Sequence, residues 1–221
     1  MRTLYHFTLC PFSRTTRFAM HEKKLDFTSE VWSFWQHASQ INEHSPSGQL
    51  PILEELNGDI IPESMVILEY LEEAYPEMKL MGDNLADKNE VRRLHIWFHQ
   101  KFGAEVSIPL VSEKAIKRHF HQSPNSGLIR QSKQNIQHHL AYIETLIDQR
   151  NWLAGDFFSL ADIAAAAHLS VVDYLGDIPW DHYHTAKGWY VRIKSRPTFR
   201  TFLNERVSGV MPASHYSDLD F

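Results

Sequence analysis

Apolar residues fall into two regimes along this chain. Thr3 to Phe7 alternates and is rich in β-formers, then Cys10-Pro11-Phe12-Ser13 interrupts it and a helical stretch runs to about Lys24. Pro11 suits a first helical position, where its missing N–H goes unused, and Lys23 and Lys24 suit a helix C-terminus. Asp26 to Trp32 reads as a second strand and Ser33 to Ser47 as irregular. Gln49 to Glu54 and Asp59 to Ile61 read as two short strands turned by Asn57-Gly58-Asp59. Glu63-Ser64 opens a helix carrying Met65, Ile67, Leu68 and Leu71 at helical spacing, which Pro76 ends by forcing Tyr75 out of the α region. The order is βαβ followed by ββα.

The periodicity lapses over residues 78–86, where Gly82-Asp83-Asn84 supplies turn chemistry, and everything after it has helical period. Val91, Leu94, Phe98 and Phe102 mark one helix; Ile129, Ile136, Leu140, Ile143 and Ile147 mark another. Phe158-Ser159-Leu160-Ala161-Asp162-Ile163 begins a third with a capping box, Ser159 and Asp162 satisfying each other's backbone donors. Its run Ala164 to Ala167 permits close helix approach and predicts a central position. Pro197 starts a last helix with Phe199, Phe202 and Leu203, and a tail follows Val207. The expected domains are 1–77, α/β, and 87–206, all-α, with residues 78–86 as linker and 207–221 as tail.

Composition narrows the function. With 22 Lys+Arg against 27 Asp+Glu and no dense basic run, the chain has no footprint for nucleic acid. The single cysteine, Cys10, forbids an internal disulfide and a cysteine-based zinc site, and points to a reducing compartment, the cytoplasm by default. No signal peptide is expected, since His6 and Thr8 interrupt the first apolar residues, and no membrane span, since Asp162, His168 and Ser170 interrupt the longest apolar stretch. His95 and His99 are four apart on one helix, but the segment lacks the inner glutamate of a zinc-protease helix and no third ligand is evident, so no metal is expected. His119/His121, His138/His139 and His182/His184 read as solvated surface.

A thioredoxin-like βαβ-ββα unit, a linker and an all-helical unit, with Leu50-Pro51, Glu63-Ser64 and Ser159-x-x-Asp162 in that order, resembles the cytosolic glutathione S-transferase superfamily over essentially the whole chain. The resemblance implies a cis proline at Pro51 that turns Leu50 outward to pair with glutathione. It also implies that Ser64, with the N–H groups opening its helix and help from Glu63, receives the γ-glutamyl carboxylate. No cofactor is required; glutathione is the implied substrate or ligand. Which group meets its glycine carboxylate stays open in the sequence, with His37 and Gln49 as candidates by position alone. Cys10 to Ser13 occupies the place of the residue that activates or bonds the glutathione sulfur: either Cys10 as a thiolate favoured by a helix N-terminus, or Ser13 as a hydroxyl donor. Tyr5, inside the first strand, is the weaker alternative, and a Cys10 with a packing role alone is the bland one.

The tail Pro212-x-x-His215-Tyr216-Ser217-Asp218-Leu219-Asp220-Phe221 is similar to that of an FtsZ-binding branch of this superfamily in alphaproteobacterial cell division. That likeness implies a scaffold acting on FtsZ filaments through Trp35, Asp218, Asp220 and Phe221, and the superfamily implies a homodimer. Trp is favoured at such contacts because it buries a large area with few rotors; the bland alternative puts Trp32 in the strand core and the tail over the seam between domains.

Overall fold

A computed structural model describes residues 1–221. The chain opens with β1 (Arg2–His6), α1 (Pro11–Glu22) and β2 (Phe27–Val31), continues with α2 (Ala38–His44), and completes its sheet with β3 (Ile52–Glu54) and β4 (Ile60–Pro62) before α3 (Ser64–Ala74). The strands lie in the order β2-β1-β3-β4; β1 and β2 are parallel, and β3 is antiparallel to both β1 and β4. A small core of Leu4, Met20, Leu53, Ile67 and Leu71 joins the sheet to α1 and α3. Pro76 acts as expected: Tyr75 is the C-cap, at φ −131°, ψ 71°.

α2 replaces the irregular stretch read between Ser33 and Ser47. Its only buried residue is Ile41, so no apolar stripe announced it.

The second half is helical. α4 (Leu85–Ile96) runs on through wide π turns (Trp97–Ser107), α5 (Ile108–Val111), a second π segment (Ser112–Ile116) and α6 (Lys117–His119). α7 (Ser126–Ile147), α8 (Leu160–Tyr174), the 3-10 turn Trp180–His182, α9 (His184–Lys194) and the short α10 (Arg200–Leu203) follow. Every residue of α8 is buried, as its alanine run requires of a central helix. Its start is over-specified: Asp162 accepts from the Ser159 N–H (3.1 Å), the Ser159 hydroxyl (3.1 Å), the Leu153 N–H (3.0 Å) and Trp189 Nε1 (2.9 Å). No helix is long and apolar enough to cross a membrane.

α1 packs on α8 with charged side chains in the joint. Arg14 is fully buried and donates to the Thr8 carbonyl (3.0 Å), Ser170 Oγ (2.8 Å), Tyr216 Oη (3.0 Å) and Glu205 Oε2 (3.0 Å). Arg17 shares Glu205, and Glu22 accepts from Arg196 at 2.8 and 2.7 Å and from the Thr198 hydroxyl.

Candidate functional site

The cleft that α1 opens toward α5 is apolar. It measures about 430 Å³ and is lined by Phe7, Cys10, Phe12 and Phe34 from the first half and by Ile108 and Val111 from the helical half, with Gln49, Leu50 and Ser112 also on its wall. None of its lining residues is charged.

Cys10 is the N-cap of α1. Its sulfur accepts from the Ser13 N–H at 3.5 Å and donates to the Leu50 carbonyl at 3.7 Å, across the cis Leu50–Pro51 bond. The helix N-terminus favours a thiolate, but burial outweighs it and pushes the Cys10 thiol up from its ordinary value. This reverses the sign expected from a helix N-terminus alone: a protonated, buried thiol is a poor nucleophile at neutral pH. Ser13 is fully buried, its hydroxyl accepts from the Phe7 N–H at 3.3 Å, and it does not line the cleft. Tyr5 donates to Glu54 Oε2 at 2.7 Å, which pushes the phenol up to about 12.

Glu63 is exposed and sits at φ +71°, a left-handed conformation uncommon for a non-glycine residue, as the N-cap of α3. Ser64 is buried; its hydroxyl accepts from Thr16 Oγ1 at 3.0 Å and lies 3.3 Å from His99 Nε2. His37 Nδ1 accepts from the Ser33 N–H at 3.2 Å, and its ring lies flat on Trp32 at 5.4 Å; Gln49 faces the cleft.

Behind Phe12 the paired His95 and His99 of the sequence join a third imidazole, His168, that sequence reading did not connect with them. His99 and His168 meet the Phe12 ring edge-on at 5.0 and 5.3 Å, and His95 packs on His99 at 4.3 Å. All three imidazoles are buried, and burial lowers them, His95 to about 4 and His168 to about 3. No group of His, Cys, Asp or Glu side chains is arranged to hold a metal ion. His139, read as surface, is also buried, bonded to Trp97 Nε1 (3.1 Å) and Glu105 Oε2 (2.9 Å). Its signal was its place on the Ile136, Leu140 and Ile143 face of α7.

Trp35 is half-buried rather than projecting, packed on Phe7 (5.6 Å) of the first half and on His119 (4.5 Å) and Phe120 (5.3 Å) of the helical half. Trp32 packs against Tyr5 at 4.1 Å with the rings tilted by 33°. In the tail Tyr216 is buried beside Arg14, Phe221 is half-buried against the helical half, and Asp218 and Asp220 are exposed. The tail therefore folds back on its own chain and leaves its two carboxylates outward.

The sheet, the cis proline beside the α1 N-terminus and the helical half define a class, and the family models agree: the glutathione S-transferase N-terminal domain matches residues 4–79 and the glutathione S-transferase C-terminal domain matches residues 107–197. The chain belongs to the glutathione S-transferase family. Within it, the chain is 45% identical to the FtsZ-localized protein A of Caulobacter vibrioides, over 100% of this chain and 98% of that one. The solved structure of FzlA from C. crescentus superposes with a TM-score of 0.96, covering 100% of this chain and 99% of that one. A crystal structure described as a glutathione S-transferase from Rhodospirillum rubrum superposes with a TM-score of 0.97 at 47% identity, covering both chains fully.

Proposed function

We propose that this chain is a regulator of bacterial cell division that binds FtsZ filaments. The observation that carries the reading is the likeness, along the whole chain, to a relative named for its localization with FtsZ. The exposed Asp218 and Asp220 beside the anchored Tyr216, and Trp35 bridging the two halves, support it as contact residues, with Phe221 holding the tail end. The reading carries with it a cytoplasmic location and a homodimer, for which the exposed apolar Val66 of α3 and Ile96 of α4 supply surface. The test is co-sedimentation with FtsZ polymers. The wild type is expected to pellet with the polymer, and Asp218→Lys and Trp35→Ala, checked for an unchanged unfolding midpoint (Tm), to lose about tenfold or more in affinity, the size of a contact hot spot. Retention of binding by both variants overturns the assignment.

A second reading is favoured by Cys10 and Gln49 lining one cleft: a glutathione transferase or thiol transferase working through Cys10 or Ser13, with Leu50, Pro51, Glu63 and Ser64 holding glutathione. The raised Cys10 thiol and the full burial of Ser13 away from the cleft wall weigh against it. Turnover of glutathione with an aryl electrophile or a mixed disulfide, lost in Cys10→Ala or Ser13→Ala, would restore this reading to first place.

A further inference from the structure

Phe221 occupies a cage built by the helical half. Its ring lies 5.5 Å from Trp180 and 6.3 Å from Tyr190, and stacks on His215 at 5.3 Å. Two ammonium groups face it, Lys194 Nζ at 3.9 Å and Lys187 Nζ at 4.8 Å from the ring centre. Lys194 is fully buried, and its ammonium makes no hydrogen bond; the nearest carboxylate oxygen, Asp173 Oδ2, is 3.9 Å away. Asp173 Oδ2 and Tyr190 Oη are likewise buried without a hydrogen-bond partner.

A buried ammonium needs compensation, and an aromatic face supplies it when hydrogen-bond acceptors do not. The ring of Phe221 covers Lys194, and the negative charge of Asp218 acts on the same ammonium. The cage thus recognises two things together, a terminal aromatic ring and acidic residues just before it. Only one occupant in this chain has that chemistry, Asp218-Leu219-Asp220-Phe221.

We propose that Trp180, Tyr190, Lys187 and Lys194 form a binding site for an acidic chain end that finishes in an aromatic residue. In the free protein its own Phe221 fills the site, and a competing chain end of the same kind enters when the tail lifts. Tyr216 anchors the tail five residues before Phe221, so the short tether presents the ring at an effective concentration in the millimolar range, and a competing end of equal affinity displaces it only at about that concentration.

The test uses the full-length Phe221→Ala variant and the peptide acetyl-Ser-Asp-Leu-Asp-Phe with a free carboxylate. The variant is expected to unfold a few degrees lower, about 2–4 °C for a modest loss in a chain of this size, and millimolar peptide to raise its Tm saturably. The same peptide ending in Ala is expected to do nothing, and the wild type, whose site is filled, to shift less than the variant. Adding Lys187→Ala, a partly exposed position, to the variant is expected to weaken the peptide by about threefold or more. Absence of saturable rescue, equal rescue by the Ala-ended peptide, or an equal shift in the wild type each overturns the proposal. No FtsZ is present in the experiment, so its outcome is separate from that of the filament-binding reading.

Discussion

Acidification from about pH 7.5 to about pH 5.5 is expected to cost this protein a large part of its stability, through histidines that have no room for a second proton. His6, His95, His99 and His168 are buried, and one ring nitrogen of each (His6 Nδ1, His95 Nε2, His99 Nδ1, His168 Nε2) has no hydrogen-bond partner. A protonated ring donates from both nitrogens, so charging any of them buries a cation. Burial accordingly lowers His6 to about 3, His95 to about 4 and His168 to about 3, with His99 well below its ordinary value.

In the unfolded chain each histidine titrates near 6.5, so as the pH falls below that value the unfolded state takes up protons that the folded state refuses. Stability is therefore full above about pH 6.5 and declines as the pH falls toward the folded values near 3–4. At about pH 5.5 the loss is a little over 1 kcal/mol per histidine, or roughly 5 kcal/mol for the four. Asp162 opposes it: burial pushes its carboxyl up to about 6, so the folded state gains a proton there, worth about 1 kcal/mol of stabilisation over the same range. The net loss of roughly 4 kcal/mol corresponds to a fall in Tm of about 8–16 °C for a chain of this length. Thermal unfolding followed by circular dichroism at a series of pH values at constant ionic strength measures it. A Tm that moves by less than about 3 °C, or four imidazoles that titrate near 6.5 in the folded protein by NMR, would refute the argument.

Two further outcomes follow from the joint around α1. Tyr216→Phe removes an acceptor from the buried Arg14 guanidinium and the donor to the Phe202 carbonyl, so a loss of about 1–3 kcal/mol is expected, read as a Tm lower by roughly 2–12 °C; a shift under about 1 °C would show that the tail is not anchored there. Alkylation of Cys10 by iodoacetamide is expected to be slow at neutral pH and to reach half its limiting rate above the free-thiol value of about 8.5, and a midpoint below about 8 would mean that the α1 N-terminus outweighs burial after all.

The strands and the α8 start were legible because local chemistry specifies them: alternation for β1, a turn at Asn57-Gly58-Asp59, a capping box at Ser159. α2 was not, because a helix that buries only Ile41 has no stripe to read. In α1 the polar residues carry no local sign of their burial. Arg14, Arg17 and Glu22 are each buried, because their partners Glu205, Tyr216 and Arg196 lie some two hundred residues along the chain. Of the motif residues, Cys10 and Leu50 lie on one wall of the cleft while Pro51, Glu63 and Ser64 do not line it; Ile108, Val111 and Ser112 on the other wall carry no local mark of facing it.

That inward-facing charge on α1 also bears on how the chain could have been assembled. A βαβ-ββα unit is usually thought of as a portable module, free to be cut out and joined to other partners. Here the first seventy or so residues, released alone, would present two arginines and a glutamate on the surface that the remainder had covered, beside the bared apolar residues Phe18 and Ala19. The remainder, in turn, would be left with Glu205, Arg196 and the Tyr216 hydroxyl shorn of their counterparts. Each piece thus serves as the other's solvent, and the two are expected to melt and refold as one cooperative body rather than in succession.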